Sequence, residues 1–346
     1  MQERPIRVGI IGPTGYAGME LIRIVIGHPH LELTYLAGSG NHSGTLAEVF
    51  PHFAHVAGPD IVTFDADVCA QACDLAFVAL PSGESGKVAV ELWRRGVRTV
   101  DLSGDLRLPS DVYQTWYGKE PLPDDVIQEA VYGLSEFNRS RIAAANLISN
   151  PGCYATAAIL ALKPIVSWSE ARIQGPVAID AKSGVTGAGR GLKSHLLFAE
   201  LANDFYPYRV GSHQHTPEIE QALSHECTVL LTTQLLPVMR GILTSSYVTL
   251  SGDVRAEEIQ GHYESFYQDE PFVHVLPYGQ VPHMKSVVGT NHVQIGVHLN
   301  ERTGILQVFS VIDNLGKGAS GQAVQNVNIA YGFAETTGLT QEALWT

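Results

Sequence analysis

Glycines at positions 9, 12, 15 and 18 punctuate the join between the first apolar run, 7–11, and the first stretch with helical spacing, 17–26. A strand that turns at once into a helix over bare backbone predicts a parallel α/β sheet with an anion at the helix start. Glycine permits the tight turn and lets a phosphate approach the chain, while the first N–H groups of the helix face its negative charge. The spacing is G-x-x-G-x-x-G rather than the commoner G-x-G-x-x-G, and the same glycines also suit close helix–strand packing. Gly12, Thr14, Gly15, Tyr16, Ala17 and Gly18 are the residues expected to line a dinucleotide pyrophosphate.

The alternation continues. Apolar runs at 31–37, 75–80, 99–102 and 147–149 are separated by helix-like segments such as 83–95, which predicts a doubly wound parallel sheet of Rossmann type. The chain has 346 residues, 45% of them hydrophobic, enough for two domains. After Asn150 the runs at 177–181, 228–236, 242–250, 292–299 and 305–312 are longer and richer in β-branched residues, so a mostly antiparallel α+β domain is expected there. The stretch 317–333 has helix-compatible composition. Discrimination between NAD and NADP is usually made at the end of the second strand, and Ala37-Gly-Ser-Gly-Asn-His-Ser43 contains no acid to repel a 2′-phosphate. NADP(H) is therefore the expected cofactor, with Ser39 as a phosphate donor; read plainly, the same loop is a turn.

Composition excludes several classes. A formal net charge of −13 with scattered Lys and Arg argues against nucleic acid. No apolar run approaches the roughly 20 residues that span a bilayer, so no membrane is expected. Four cysteines, without zinc spacing or the density of a disulfide scaffold, point to reduced thiols in a cytoplasmic compartment. Cys69, Cys73 and Cys227 read as small buried hydrophobes; the i,i+4 pair Cys69/Cys73 lacks companion metal ligands. Cys153 differs. It follows the turn Asn150-Pro-Gly at the head of an apolar helix, where free amides and the helix dipole stabilise a thiolate.

A thiolate that forms a thioester needs an acid/base partner, and His213-Gln-His215 supplies two imidazoles just before another helix-like segment. Two histidines at i,i+2 would also suit a metal, but no third ligand is implied, so no metal is assigned.

Taken together, the segments at 12–21, 100–108 (VDLSGDLRL), 149–156 (SNPGCYAT), 180–190 (DAKSGVTGAGR), 213–221, 236–243 (LPVMRGIL) and 312–328 resemble the N-acetyl-gamma-glutamyl-phosphate reductases, arginine-pathway relatives of aspartate-semialdehyde dehydrogenase. The resemblance implies a Rossmann domain at 1–149 completed by 315–346, a catalytic and subunit-contact domain at 150–314, a homotetramer or homodimer, and an anionic acyl phosphate reduced with NADPH through a cysteine thioester. It makes Cys153 the nucleophile and His215 the preferred acid/base residue, with His213 as the alternative, because the related dehydrogenases follow their catalytic histidine with a small hydroxyl residue, as His215-Thr216 does. It points to Arg107, Arg190, Arg209, Asn150 and Ser183 for substrate, and to Pro81, Ser82, Gly184, Gly187 and Asn314 toward the cofactor. Ser82, Ala155 and Ser135 depart from the commoner His, Pro and Pro at those positions. N-acetyl-aminoadipyl phosphate and aspartyl phosphate are the competing substrates; a nucleotide sensor or a zinc protein are readings of other classes.

Overall fold

The computed structural model describes residues 4–38, 43–252 and 254–345, so Ser39 lies outside the described residues. The chain forms two compact units, one of residues 1–152 and 319–340, the other of residues 153–318 and 341–346. The sequence places the crossings at 149/150 and 314/315 and gives the whole C-terminus to the first unit. Instead the tail contacts the second unit: Leu344 N–H donates to the Val288 carbonyl at 3.4 Å and Lys285 Nζ sits 4.9 Å from the Trp345 ring centroid.

The first unit is a seven-stranded sheet ordered β3-β2-β1-β4-β5-β7-β6. Its strands are β1 (Ile6–Ile11), β2 (Leu31–Gly38), β3 (Ile61–Thr63), β4 (Leu75–Val78), β5 (Arg98–Asp101), β6 (Val131–Tyr132) and β7 (Leu147–Ser149). Every pairing is parallel, so each connection must cross a face of the sheet, and the expected crossover helices are present at Tyr16–Ile26 and Ser85–Arg94. Val8, Ile10, Leu36, Phe77 and Val78 have no exposed surface, the continuous apolar pattern of strands covered on both faces. Strand order reverses between β1 and β4, which opens a crevice at their carboxyl ends. The helix Gly321–Ala330 belongs to this unit and is buried along its whole length, packing on the helix Ser135–Ala144.

The second unit carries an eight-stranded sheet, ordered β10-β11-β9-β12-β15-β14-β13 with β8 on the far end of β12. Its strands are β8 (Arg172–Ile173), β9 (Val177–Gly184), β10 (Tyr206–Tyr208), β11 (Val229–Leu236), β12 (Ile242–Ser251), β13 (Val273–Val275), β14 (Val293–Asn300) and β15 (Ile305–Ile312). The long central hairpins are antiparallel as expected, but β11 runs parallel to β9 and β13 parallel to β14, so the sheet is mixed. The apolar helix Cys153–Val166 lies against β12 and β15.

Candidate active site

In the first unit the four glycines have separate tasks. Gly12 adopts φ +89°, and a Cβ there would fall 2.5 Å from the Ala79 carbonyl oxygen, so the turn after β1 is wedged against the loop after β4. Gly18 lets the first helical turn close over that loop: its Cβ would meet the Gly12 carbonyl at 2.2 Å. Gly15 is the N-cap of the helix Tyr16–Ile26 and brings no side chain to its first N–H groups. That leaves a bare, positively polarised helix start at the sheet's switch point, the setting a pyrophosphate takes. Gly9 serves something else, the two sulfurs of Cys69 and Cys73.

The loop after β4 holds Pro81 and Ser82 and is clamped from beneath. Both carboxylate oxygens of Asp105 accept the Gly83 N–H at 2.8 Å, one of them accepts Gly86 N–H at 2.9 Å, and Tyr113 donates its hydroxyl at 2.7 Å. Ser82 Oγ accepts Gly104 N–H at 3.3 Å, and its carbonyl accepts the Lys119 ammonium. Asp101, fully buried, accepts the hydroxyls of Ser85 at 2.6 Å and Ser103 at 2.8 Å. Burial, and then repulsion from Asp105, push its carboxyl up to about 6 despite those two hydroxyls. Neither carboxylate was singled out from the sequence, although the D-x-S-x-D spacing in VDLSGDLRL carries both.

Arg107 and Asn150 are engaged inside the first unit. Arg107 Nε donates to the Asn150 carbonyl at 2.8 Å and Nη2 to the Leu102 carbonyl at 3.0 Å. Asn150 Nδ2 donates to the Ala319 carbonyl at 3.0 Å, and its Oδ1 accepts Asn326 Nδ2 at 3.1 Å. Ser135 joins the same network by donating to Asn326 Oδ1 at 2.8 Å, a bond that the commoner proline could not make. Both side chains therefore fix the turn that leads into Cys153.

In the second unit Cys153 opens the helix Cys153–Val166 as a half-buried thiol outside any disulfide. Gly318 packs against it so closely that a Cβ there would lie 2.9 Å from the Cys153 Cβ. The next residue, Tyr154, leads to the imidazoles: its ring meets His213 edge to face at 5.4 Å between centroids and His215 at 6.0 Å. Tyr208, on β10, contacts His213 from another side at 5.7 Å. Its hydroxyl donates to the Tyr154 hydroxyl at 3.2 Å, and that hydroxyl donates in turn to the Gln234 carbonyl at 3.1 Å. Burial pushes the Tyr208 phenol up to about 12, and negative charge on Cys153 adds to the rise, so the sulfur lies within electrostatic range of this cluster. Nothing in the sequence marked Tyr208, since Tyr-Pro-Tyr on a short edge strand has no motif around it.

The two histidines are not equivalent. His213 is pushed down to about 2, first by burial, then by His215 and by Arg209, against a small pull from Glu218. Its Nδ1 accepts the His215 backbone N–H at 3.2 Å, which places any neutral-ring proton on Nε2. His215 is the first residue of the helix His215–Ala222. Arg209 adopts φ +49°, is exposed, and donates to the Gln214 side chain. Arg190 is exposed beyond the turn Val185–Ala188.

Ser183, Gly184, Gly187 and Asn314 form one piece. Ser183 is buried at the end of β9, with its hydroxyl donating to the Gly184 carbonyl at 3.0 Å and acting on the Tyr154 phenol. Gly184 passes the Met239–Arg240 peptide so closely that a Cβ would meet the Met239 oxygen at 2.7 Å. Asn314 accepts Gly241 N–H at 2.8 Å and donates to Thr186 Oγ1 at 2.9 Å. Its amide thus braces the 183–189 loop, in which a Gly187 Cβ would sit 3.0 Å from Ser183 Oγ. Among the described residues no group of three or more metal-ligating side chains is assembled.

Comparison with known proteins places these features. Residues 7–145 match the family model described as semialdehyde dehydrogenase, NAD binding domain, and residues 153–314 the one described as semialdehyde dehydrogenase, dimerisation domain. An N-acetyl-gamma-glutamyl-phosphate reductase of Brevibacillus brevis is 46% identical over 96% of this chain and 98% of its own length. One from Bacillus subtilis is 43% identical over 97% and 98%. Among solved structures, aspartate semialdehyde dehydrogenase II of Vibrio cholerae superimposes with a TM-score of 0.72 at 17% identity, covering 95% of this chain and 99% of that one. Aspartate semialdehyde dehydrogenase with NADP from Candida albicans does so with a TM-score of 0.63 at 14% identity, covering 94% and 98%. At such identities the structures speak for the fold alone.

Proposed function

We propose, from the premise that this chain belongs to the N-acetyl-gamma-glutamyl-phosphate reductase family of semialdehyde dehydrogenases, that it reduces N-acetyl-L-glutamyl 5-phosphate to N-acetyl-L-glutamate 5-semialdehyde with release of phosphate, a step of arginine biosynthesis. The observation that carries this reading is 46% identity sustained over 96% of the chain. The protein is an oxidoreductase with an NAD(P)-binding Rossmann domain.

NADP(H) is the cofactor of this reading. The glycine turn fits a dinucleotide, because the Gly15 N-cap leaves the helix start bare and the Asp105-clamped loop at Pro81 and Ser82 stands beside it. When bound, NADPH supplies the hydride. Thr14, Tyr16 and Ala17 would hold the pyrophosphate in this reading, and Gly184, Gly187 and Asn314 are the second unit's residues assigned to the cofactor.

Cys153 is the nucleophile. Its thiolate attacks the acyl carbon, the carbon–phosphate oxygen bond breaks, and a thioester remains on the sulfur. The step matters because a thioester carbonyl accepts hydride and a free carboxylate does not. Arg209 and Arg190 provide the guanidinium groups for the departing phosphate and the substrate carboxylate, while Arg107 and Asn150 hold the turn before the nucleophile. His215 gives a proton to the acyl oxygen as hydride arrives, and takes it back as the hemithioacetal collapses, the C–S bond breaking to release the aldehyde and the Cys153 thiolate. Support for that choice comes from His213, which burial pushes down to about 2 and whose Nδ1 accepts the His215 backbone N–H. It is a positioning residue.

The chain works in this reading as a cytoplasmic homodimer or homotetramer; no helix among the described residues is long and apolar enough to cross a membrane. The test is NADP reduction by the purified protein with N-acetyl-glutamate semialdehyde. Turnover should require inorganic phosphate or arsenate, fall with NAD, and be far slower with aspartate semialdehyde. Preference for aspartate semialdehyde, or phosphate-independent turnover, would overturn the assignment.

A further inference from the structure

Two cysteines remain outside the chemistry above and stand together. Cys69 lies in the helix Ala66–Ala72, and Cys73 is its C-cap, where the chain leaves the helix at φ −127°, ψ 143°. The Cys73 N–H still donates to the Cys69 carbonyl at 2.9 Å, so the two residues remain joined at the end of the helix. Both are buried. Thr34 Oγ1 lies 3.8 Å from the Cys73 sulfur.

The third wall of this pocket is β1. A Cβ at Gly9 would fall 2.8 Å from the Cys73 sulfur and 3.5 Å from the Cys69 sulfur, so both sulfurs rest against bare backbone of the strand that feeds the glycine turn. Glycine weakens a strand interior, and here it makes room for a sulfur pair. The pair shares its protons unequally. The Cys69 thiol is pushed up by its neighbour Cys73 and by burial, whereas Cys73 is drawn down by Cys69, Thr34 and Arg7 against the opposing effect of its own burial and of Asp74. Two sulfurs thus rest against the same bare backbone, Cys73 the easier of the two to ionise, which is the pairing that thiol oxidation requires. Cys227 lacks this: buried near Glu220 and Glu226, its thiol is pushed up to about 11.

We propose that Cys69 and Cys73 form a dithiol that closes reversibly to a disulfide under peroxide, and that closure weakens dinucleotide binding at the adjacent glycine turn. The second clause rests on the dinucleotide reading of that turn. The Cys73 thiolate attacks one oxygen of hydrogen peroxide, the O–O bond breaks, and a sulfenic acid and hydroxide result. Hydroxide takes the Cys69 proton; the Cys69 sulfur then attacks the Cys73 sulfur, forming S–S and breaking S–O, and the departing hydroxide is protonated. Two thiols and one peroxide give one disulfide and two waters, and a small dithiol reverses the change.

Closure draws the two sulfurs together into a covalent bond and pulls on the backbone at Cys73. The next residue transmits the pull. Asp74 N–H donates to the Arg7 carbonyl at 2.9 Å, and its carboxylate accepts Arg7 N–H at 3.1 Å and Arg7 Nη2 at 2.8 Å. Movement at Asp74 therefore reaches β1 just upstream of Gly9 and Gly12.

The experiment uses the full-length Cys153→Ser protein, so that oxidation of the catalytic thiol plays no part. After peroxide, denaturation and iodoacetamide, peptide mass spectrometry should show Cys69 and Cys73 joined and unalkylated, two hydrogens lighter than the reduced form. NADPH affinity, read by its fluorescence, should fall about tenfold. Dithiothreitol should restore both, and a further Cys69→Ser change should abolish both responses. Full alkylation of both cysteines after peroxide would overturn the proposal, as would a disulfide that leaves NADPH affinity unchanged. If the reduced protein binds no NADPH at all, the dinucleotide reading is what fails, and the mass spectrum still decides whether the disulfide forms.

Discussion

Each unit holds a buried ionisable group far from its ordinary titration range, Asp101 in the first and His213 in the second, and the two respond to pH in opposite directions. In the first unit Asp101 is raised from 3.8 to about 6 by burial and by Asp105, so its folded form holds a proton that the unfolded chain releases. The stability this gives is fully present below pH 3.8 and is lost as pH rises through about 6. In the second unit His213 is lowered from 6.5 to about 2, and its folded form refuses a proton that the unfolded chain accepts. Its stability is present above pH 6.5 and lost as pH falls toward 2. The first group braces the loop beside the glycine turn, and the second braces the helix that carries His215. The difference teaches that scaffold and reaction centre are paid for separately: damage to the first should appear in dinucleotide affinity, damage to the second in turnover.

The harshest way to sharpen that division is Cys153→Ser, which should cost roughly 10⁴-fold or more in kcat with NADPH affinity unchanged. Near-normal phosphate-dependent turnover in that variant would remove the thioester from the scheme. His215→Asn should lose about 10²–10⁴ in kcat and flatten the pH–rate profile, as expected for a general acid/base. His213→Asn keeps an acceptor for the His215 N–H and should lose only about tenfold; an equal or larger loss confined to His213 would reverse the two roles.

Moving to the first unit, Gly18→Ala forces the Cβ to within 2.2 Å of the Gly12 carbonyl unless backbone shifts. Such overpacking costs about 1–3 kcal/mol, and titration with NADPH should show affinity down roughly tenfold, with alkylation of Cys153 at its usual rate. Slowed alkylation would mean that the two units do not fail independently. For Asp101→Asn the expected effect is on the pH dependence of stability and not on turnover. Melting temperature measured across pH should lose the decline between about pH 4 and 7, worth on the order of 3 kcal/mol for a displacement from 3.8 to about 6. A decline of unaltered slope would assign that limb to another group.

Legibility in the sequence followed how local each signal was. β1, the helix Tyr16–Ile26 and the central strands β9, β11, β12, β14 and β15 announce themselves through apolar period and glycine punctuation, which reside in contiguous residues. β3, β6, β8 and β13 are two or three residues long and acquire their identity only from a neighbouring strand. The parallel partnering of β11 with β9 is invisible for the same reason, since pairing direction is a property of the assembled sheet. Cys153 and the two histidines stood out by residue type. The preference for His215 came from the resemblance alone, through the hydroxyl residue after it; the backbone hydrogen bond on His213 Nδ1 and the company of Tyr208 and Arg209 belong to the folded chain. Asp101 and Asp105 were inside a recognised motif but unread, because burial is what turns two ordinary carboxylates into a clamp.

The tie between Asn150 and Asn326 joins residues 176 apart in the chain. A polypeptide emerging N-terminus first therefore presents its first sheet long before the helix that completes it exists. At about 5–20 residues per second, that interval is roughly 9–35 s, during which the turn preceding the nucleophile has neither its Ala319 acceptor nor its Asn326 donor. The turn before Cys153 is therefore held only once residues 319–326 have joined the sheet that residues 1–152 began.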